Sequence, residues 1–161
     1  MLKRSLQVYG LPEDATPQQP LIERAEEDLL CAIALYRQGA CGYLPLVTVC
    51  FLLHQALEKW LKLIIAVRGI AVAAKQDEKQ RVKPHDLYRL LTALDEKLPE
   101  FGEIRGEIEK VDPALMDHKF PGSLRYNETP AEIERYVRVL IPVAFKTRRL
   151  VKRYLNQEER S

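Results

Sequence analysis

The chain has 161 residues, of which 47% are hydrophobic and 30% charged, with a formal net charge of +2. That balance excludes a disordered segment and fits one globular domain with a core of its own. The near-neutral charge excludes a whole-molecule field that would collect polyanions, and no apolar run is long and charge-free enough to cross a bilayer.

The start, MLKRSLQVYG followed by LPEDATPQQP, has basic residues but no apolar signal core or small-residue cleavage site, so the expected compartment is the cytoplasm. Residues 1–15 read as an N-terminal extension and 16–157 as a single helical domain. Cys31, Cys41 and Cys50 lie within or beside apolar helical stretches. Their spacing suggests neither a disulfide framework nor a zinc site, and ordinary reduced thiols are expected. Neither a metal nor a cofactor is expected.

Thr16 can cap a first helix, with Pro17 in its first turn, or Pro20 marks its start, and Gly39 marks its end. Leu21, Ala25, Leu29, Ala32 and Tyr36 recur at spacings of three and four and share a side. Asp28 falls among them, where an unpaired carboxylate is costly. Lys59, Arg125 and His85 are its candidate partners.

Leu44 and Pro45 open a longer helix running to about Arg68 and closed by Gly69. Leu46, Cys50, Leu53, Leu57, Trp60 and Ile64 form one stripe, and Val49, Ala56, Leu61, Leu63 and Ile65 widen it beyond one face. The polar remainder is a strip of His54, Gln55, Glu58, Lys59 and Lys62. A helix this apolar is the centre of a bundle, a self-association surface, or both.

The segment AVAAKQDEKQRVKP reads as a connection, and a third helix starts near His85 and Asp86, ending at Leu98 and Pro99. Leu87, Leu90, Leu91 and Leu94 face inward on it. Ile104, Ile108 and Val111 suggest a short accessory helix before Pro113. Thr129, Pro130 and Glu132 supply a cap, a first-turn proline and a capping-box acid for the last helix, to about Leu155. Its apolar side is Ile133, Val137, Leu140, Ala144, Val151 and Leu155, opposite Arg135, Arg138, Lys146, Arg149 and Arg153. Pro142 lies on the basic side, where a kink without a break is expected. The predicted fold is all-α, an up-and-down bundle of four main helices plus a short accessory helix.

AEEDLLCAIALY, FLLHQALEKWLKLIIAVRG, KPHDLYRLL, LRYNE and AFKTRRLVKRYL, in this order, resemble the HEPN family (higher eukaryote and prokaryote nucleotide-binding), in particular its small stand-alone prokaryotic members. The resemblance implies a helical bundle, commonly a homodimer, with family roles that include nucleotide binding and RNA cleavage. Some members are toxins encoded beside a small nucleotidyltransferase-fold partner. The family's ribonucleases carry an arginine, a polar residue and then a histidine near the start of the last helix. Here Arg125 is followed by TyrAsnGluThrPro, and no histidine comes after His118. Arg81 and His85 lie in the wrong segment at a shorter spacing.

Each candidate ligand-binding residue has a structural alternative. His85 and Asp86 sit where a helix N-terminus can hold an anion, or where Asp86 simply caps the helix. His54, Glu58, Lys59 and Lys62 can offer hydrogen bonds and charge to a nucleotide, or make ordinary helix pairs around a satisfied histidine. Arg125 can clamp phosphate while Tyr126 stacks on a base, or Arg125 can pair with Asp28 or Glu58. The basic stripe of the last helix faces RNA, an acidic partner or water. Two functions follow: a binding module for a nucleotide, RNA or a nucleotidyltransferase-like partner, without membrane attachment; or a metal-independent ribonuclease using His85, His54 and Arg125. The missing histidine favours the first, because the reaction needs a group that exchanges protons near neutral pH.

Overall fold

The computed structural model describes residues 18–39, 43–72, 87–109 and 129–158. Five helices occupy them: α1 Gln18–Arg37, α2 Tyr43–Val67, α3 Leu87–Asp95, α4 Glu100–Glu109 and α5 Pro130–Glu158. No strand occurs among the described residues. The predicted bundle is the observed one.

The ends of the helices follow from local chemistry. Gly39 and Gly69 take positive φ, +83° and +59°, where a side chain would be strained. After α2 the Gly69 N–H donates to the Ala66 carbonyl at 3.3 Å and the Ile70 N–H to the Ile65 carbonyl at 3.0 Å. This is the Schellman pattern, and it satisfies carbonyls that the helix end would otherwise orphan. At the start of α5 the Thr129 N–H donates to Glu132 Oε2 at 2.7 Å, and the Glu132 N–H returns a bond to Thr129 Oγ1 at 3.4 Å. The expected capping box is therefore in place. α5 runs unbroken through Pro142, which is exposed. The Arg138 carbonyl that loses its N–H partner there lies on the outside of the bundle, where water can replace it.

The core is built around α2, which packs against α1, α3 and α5. Leu46, Val49, Cys50, Leu53, Ala56, Leu57, Trp60, Leu61, Leu63, Ile64 and Ile65 are all buried. β-Branched Val49, Ile64 and Ile65 lower helix propensity slightly, but packing on several sides far outweighs that. The predicted inward sides of the other helices are buried too: Ala25, Leu29 and Ala32 on α1, Leu87, Leu90, Leu91 and Leu94 on α3, and Ile133, Val137, Leu140, Ala144 and Val151 on α5.

Side-chain pairs give the helix directions. Tyr36 meets Arg138 and Glu26 meets Arg148, so α1 and α5 run in opposite senses. Lys146 meets Glu103 and Glu107 while Arg153 meets Glu100, so α4 also opposes α5. With α1 and α2 joined by a short connection as a helical hairpin, the order is α1 up, α2 down, α4 up and α5 down. α3 and α4 are nearly equal in length, 9 and 10 residues, and pack together as a second hairpin. The accessory helix expected around Ile104 and Ile108 thus begins earlier, at Glu100, with Phe101 buried; Val111 lies outside the described residues. The Leu98–Pro99 stop bends the chain between the two helices, and the Phe101 N–H is taken up by the Leu98 carbonyl at 3.0 Å.

Because Trp60 is fully enclosed at the middle of this packing, Trp60→Ala should lower unfolding free energy by about 3–5 kcal/mol. Urea denaturation followed by circular dichroism measures it; a loss under about 1 kcal/mol would mean α2 is not enclosed.

Candidate functional site

His54, Glu58 and Lys62 repeat every four residues and so stack along one side of α2. The structure divides the strip by depth. His54 is 0% exposed and both its ring nitrogens are shut off from solvent. Glu58 is 4% exposed, and Lys62 Nζ donates to its Oε1 at 2.5 Å. Glu preceding Lys by four is the favourable order, and partial burial strengthens the attraction by removing screening water. Gln55, Lys59 and Lys62 stay partly exposed at the edge of the bundle.

Lys59 donates to Asp28 of α1. This identifies the partner of Asp28 among the three that the sequence left open. Both side chains are about one-fifth exposed, so the pair is neither a surface ion pair nor a dry one. It joins α1 to α2 at one register, where a slip of either helix by one residue would leave two half-buried charges apart. His85, Asp86, Arg125 and Tyr126 lie outside the described residues, as do Arg81, Cys41 and His118.

A second set of polar residues lies around α5, and charge is segregated there. α5 carries seven basic side chains against Glu132, Glu134 and Glu158; α1 carries four acids against Arg24 and Arg37; α4 carries four acids against Arg105. The flanks of α5 are accordingly tied to their neighbours. Arg148 Nε donates to both oxygens of Glu26 at 2.7 and 2.8 Å, and Lys152 joins the same carboxylate at 3.1 Å. Lys146 Nζ donates to Glu107 at 2.5 Å and Glu103 at 3.1 Å. Glu100 accepts from Arg153 at 2.9 Å and from the Tyr154 hydroxyl at 2.8 Å. The Tyr154 ring stacks on Phe101 at 6.2 Å, with the guanidinium groups of Arg68 and Arg153 at 5.0 and 5.6 Å from its centroid. These contacts draw the C-terminal ends of α2 and α5 to the start of α4.

The basic stripe read from the sequence is therefore two things. Its Lys146 and Arg153 reach acids on α4, as Arg148 and Lys152, which the sequence reading did not include in the stripe, reach Glu26 on α1, whereas Arg135, Arg138 and Arg149 stand on the outer ridge. Arg138 is held by Glu134 on its own helix at 2.8 Å and by Tyr36 of α1. Arg149 makes no salt bridge among the described residues. The pairing of Glu26 with Arg148 was missed because both lie in runs of like charge, and nothing local says which of Glu23, Glu26 and Glu27 meets α5. Buried Thr147 was likewise unread; its hydroxyl donates to the Val143 carbonyl one turn back at 2.9 Å.

Among the described residues no group of His, Cys, Asp and Glu is placed to hold a metal ion, and no helix is long and apolar enough to cross a membrane. Among the described residues, Cys31, exposed, and Cys50, buried, form no disulfide.

A helical bundle with one apolar central rod and an ionic seam along its last helix is the class the geometry defines. The family model of the HEPN domain matches residues 18–150, and the chain belongs to the HEPN domain family. No curated protein and no solved structure matches it.

The Glu26 carboxyl shows how the seam responds to pH. Burial pushes its pKa up, but hydrogen bonds from Arg148 and Lys152 outweigh that and hold it below the ordinary value of 4.5. A folded pKa below the unfolded one gives stability that is present above about pH 4.5 and is lost as pH falls through the folded value. Glu26→Gln should therefore flatten the fall in melting temperature between about pH 5 and pH 3. An acid limb as steep as that of the unmodified protein would show that the Glu26 pairing contributes nothing.

Proposed function

We propose that this protein is a cytoplasmic HEPN binding module that recognises a nucleotide or RNA, alone or with a nucleotidyltransferase-fold partner, and does not itself cleave RNA. The observation that carries this reading is the complete burial of His54. A general acid or base must come within about 3 Å of the proton it moves. A ring inside the bundle, on the concealed half of the α2 strip, does not meet a 2′-hydroxyl outside it.

Two further points support it. The segment after Arg125, TyrAsnGluThrPro, lacks the histidine of the family's ribonucleases. The part of the α2 strip within reach of a ligand is its partly exposed Lys59 and Lys62 edge, which offers ammonium groups, paired with Asp28 and Glu58, and no imidazole. A homodimer is the expected assembly. Support for it comes from the apolar circumference of α2, on whose outer side Phe51 is 44% exposed.

Incubation of the purified chain with single-stranded RNA in the presence of a chelator should leave the RNA intact, while nucleotide or RNA in excess over its dissociation constant raises the melting temperature. The reading fails if RNA is cut and His85→Ala abolishes the cutting with the fold unchanged. If the RNA stays intact but calorimetry shows no heat and the melting temperature does not move, a scaffold for a partner protein replaces it.

A further inference from the structure

Three sides of α1 are occupied. Ala25, Leu29 and Ala32 are buried in the core, Glu26 and Tyr36 reach Arg148 and Arg138 of α5, and Asp28 reaches Lys59 of α2. The fourth side faces solvent, and its middle is apolar. Leu30, Cys31 and Ala34 are all exposed there, Leu30 over 65% of its surface, between exposed Glu27 on one side and exposed Arg37 on the other. From Leu29 to Tyr36 the helix carries no charged side chain on any face. Neither Glu27 nor Arg37 makes a salt bridge among the described residues. Glu27, Leu30, Ala34 and Arg37 recur at steps of three, four and three, the spacing by which one helix presents a single line of contact to another.

We infer that this face of α1 docks on the same face of a second copy of the chain, the two helices running antiparallel about a two-fold axis level with Ala32. Residues equally far from position 32 then meet. Leu30 of each copy sits against Ala34 of the other, a large side chain over a small one, and Glu27 of each meets Arg37 of the other. Because the operation is two-fold, every contact is made twice. One register thus satisfies the apolar middle and both charged ends, and this self-complementarity selects a second copy over a foreign helix, which the apolar middle alone would admit. A parallel pairing would instead set Glu27 against Glu27 and Arg37 against Arg37. Phe51, the large exposed apolar residue of α2, has polar Thr48 and Gln55 one turn away and no charged residue within a turn. The inference rests on the homodimer named above and assigns its contact to α1. From Glu27 to Arg37 the line of contact covers ~15 Å at 1.5 Å per residue, a narrow interface that should come apart on dilution.

Sedimentation velocity of the full chain at low salt, over a range of concentrations, tests this. The unmodified chain should pass from monomer to dimer as concentration rises. Leu30→Glu should keep it monomeric over the same range, since the carboxylate would lose water against Ala34 of the other copy. Glu27→Arg and Arg37→Glu should each raise the dissociation constant about tenfold, because two exposed ion pairs per dimer turn from attraction to repulsion. The double variant E27R/R37E should bring it back, each pair re-forming with its charges exchanged. Arg149→Glu, the same change of charge on exposed α5 surface, should leave dimerisation as it was. Every substituted residue is exposed, and thermal melts followed by circular dichroism check that each variant is folded.

Dimerisation that ignores Leu30→Glu and the charge variants overturns the α1 contact and leaves the homodimer standing on another face. Weakening by the single charge variants without recovery in E27R/R37E overturns the antiparallel register. Equal weakening by Arg149→Glu and Arg37→Glu overturns the Glu27–Arg37 pairing, since charge anywhere would then suffice. A monomer at every concentration removes the homodimer and the α1 contact together, while nucleotide or RNA recognition is judged separately by the shift in melting temperature.

Discussion

The enclosure of α2 is the constraint from which the remainder of the structure follows. From Leu44 to Leu57 the helix carries no Asp, Glu, Lys or Arg, and its buried side chains extend around most of its circumference. Each fully buried Leu, Ile or Val is worth roughly 1.5–3 kcal/mol relative to exposure. Such a rod cannot lie on a surface. α1, α3 and α5 cover it, and α4 completes the arrangement by packing on α3 and α5. The lengths of α1 and α5 follow, since a 25-residue helix requires companions long enough to cover it.

Ionic contacts then set register and direction, which apolar packing specifies weakly. Asp28 with Lys59 locks α1 to α2, Glu26 with Arg148 and Lys152 locks α1 to α5, and Lys146 with Glu103 and Glu107 locks α4 to α5. Partly exposed pairs of this kind contribute modestly to stability one by one. Their value lies in mismatch, because a shifted helix would bring carboxylate near carboxylate in the acidic flanks. The same division of charge gathers Arg135, Arg138 and Arg149 on the outer ridge of α5 although the whole chain is nearly neutral.

Much of this was readable from local pattern. Helix positions followed from apolar spacing, and their ends from Gly39, Gly69 and the Thr129–Glu132 capping box, because these signals act within a turn or two of chain. What escaped was tertiary. Asp28 needed a partner, but the choice among Lys59, Arg125 and His85 depends on how α1 lies across α2. Glu100 and Phe101 follow a Leu98–Pro99 stop that looks like a loop, and they become helical because Phe101 fills a space beside Tyr154. The strip of His54, Glu58, Lys59 and Lys62 was found by spacing, yet its division into a buried half and an accessible half depends on neighbouring elements. The candidate residues His85, Asp86, Arg125 and Tyr126 lie outside the described residues.

Native-state hydrogen exchange resolved by residue is the most direct test of α2 as the enclosed rod. Amides from Cys50 to Ile64 should exchange only through global unfolding, with protection matching the free energy from denaturation and exceeding that of α1 and α4. Exchange of the α2 amides by local opening, faster than those of α1, would contradict it.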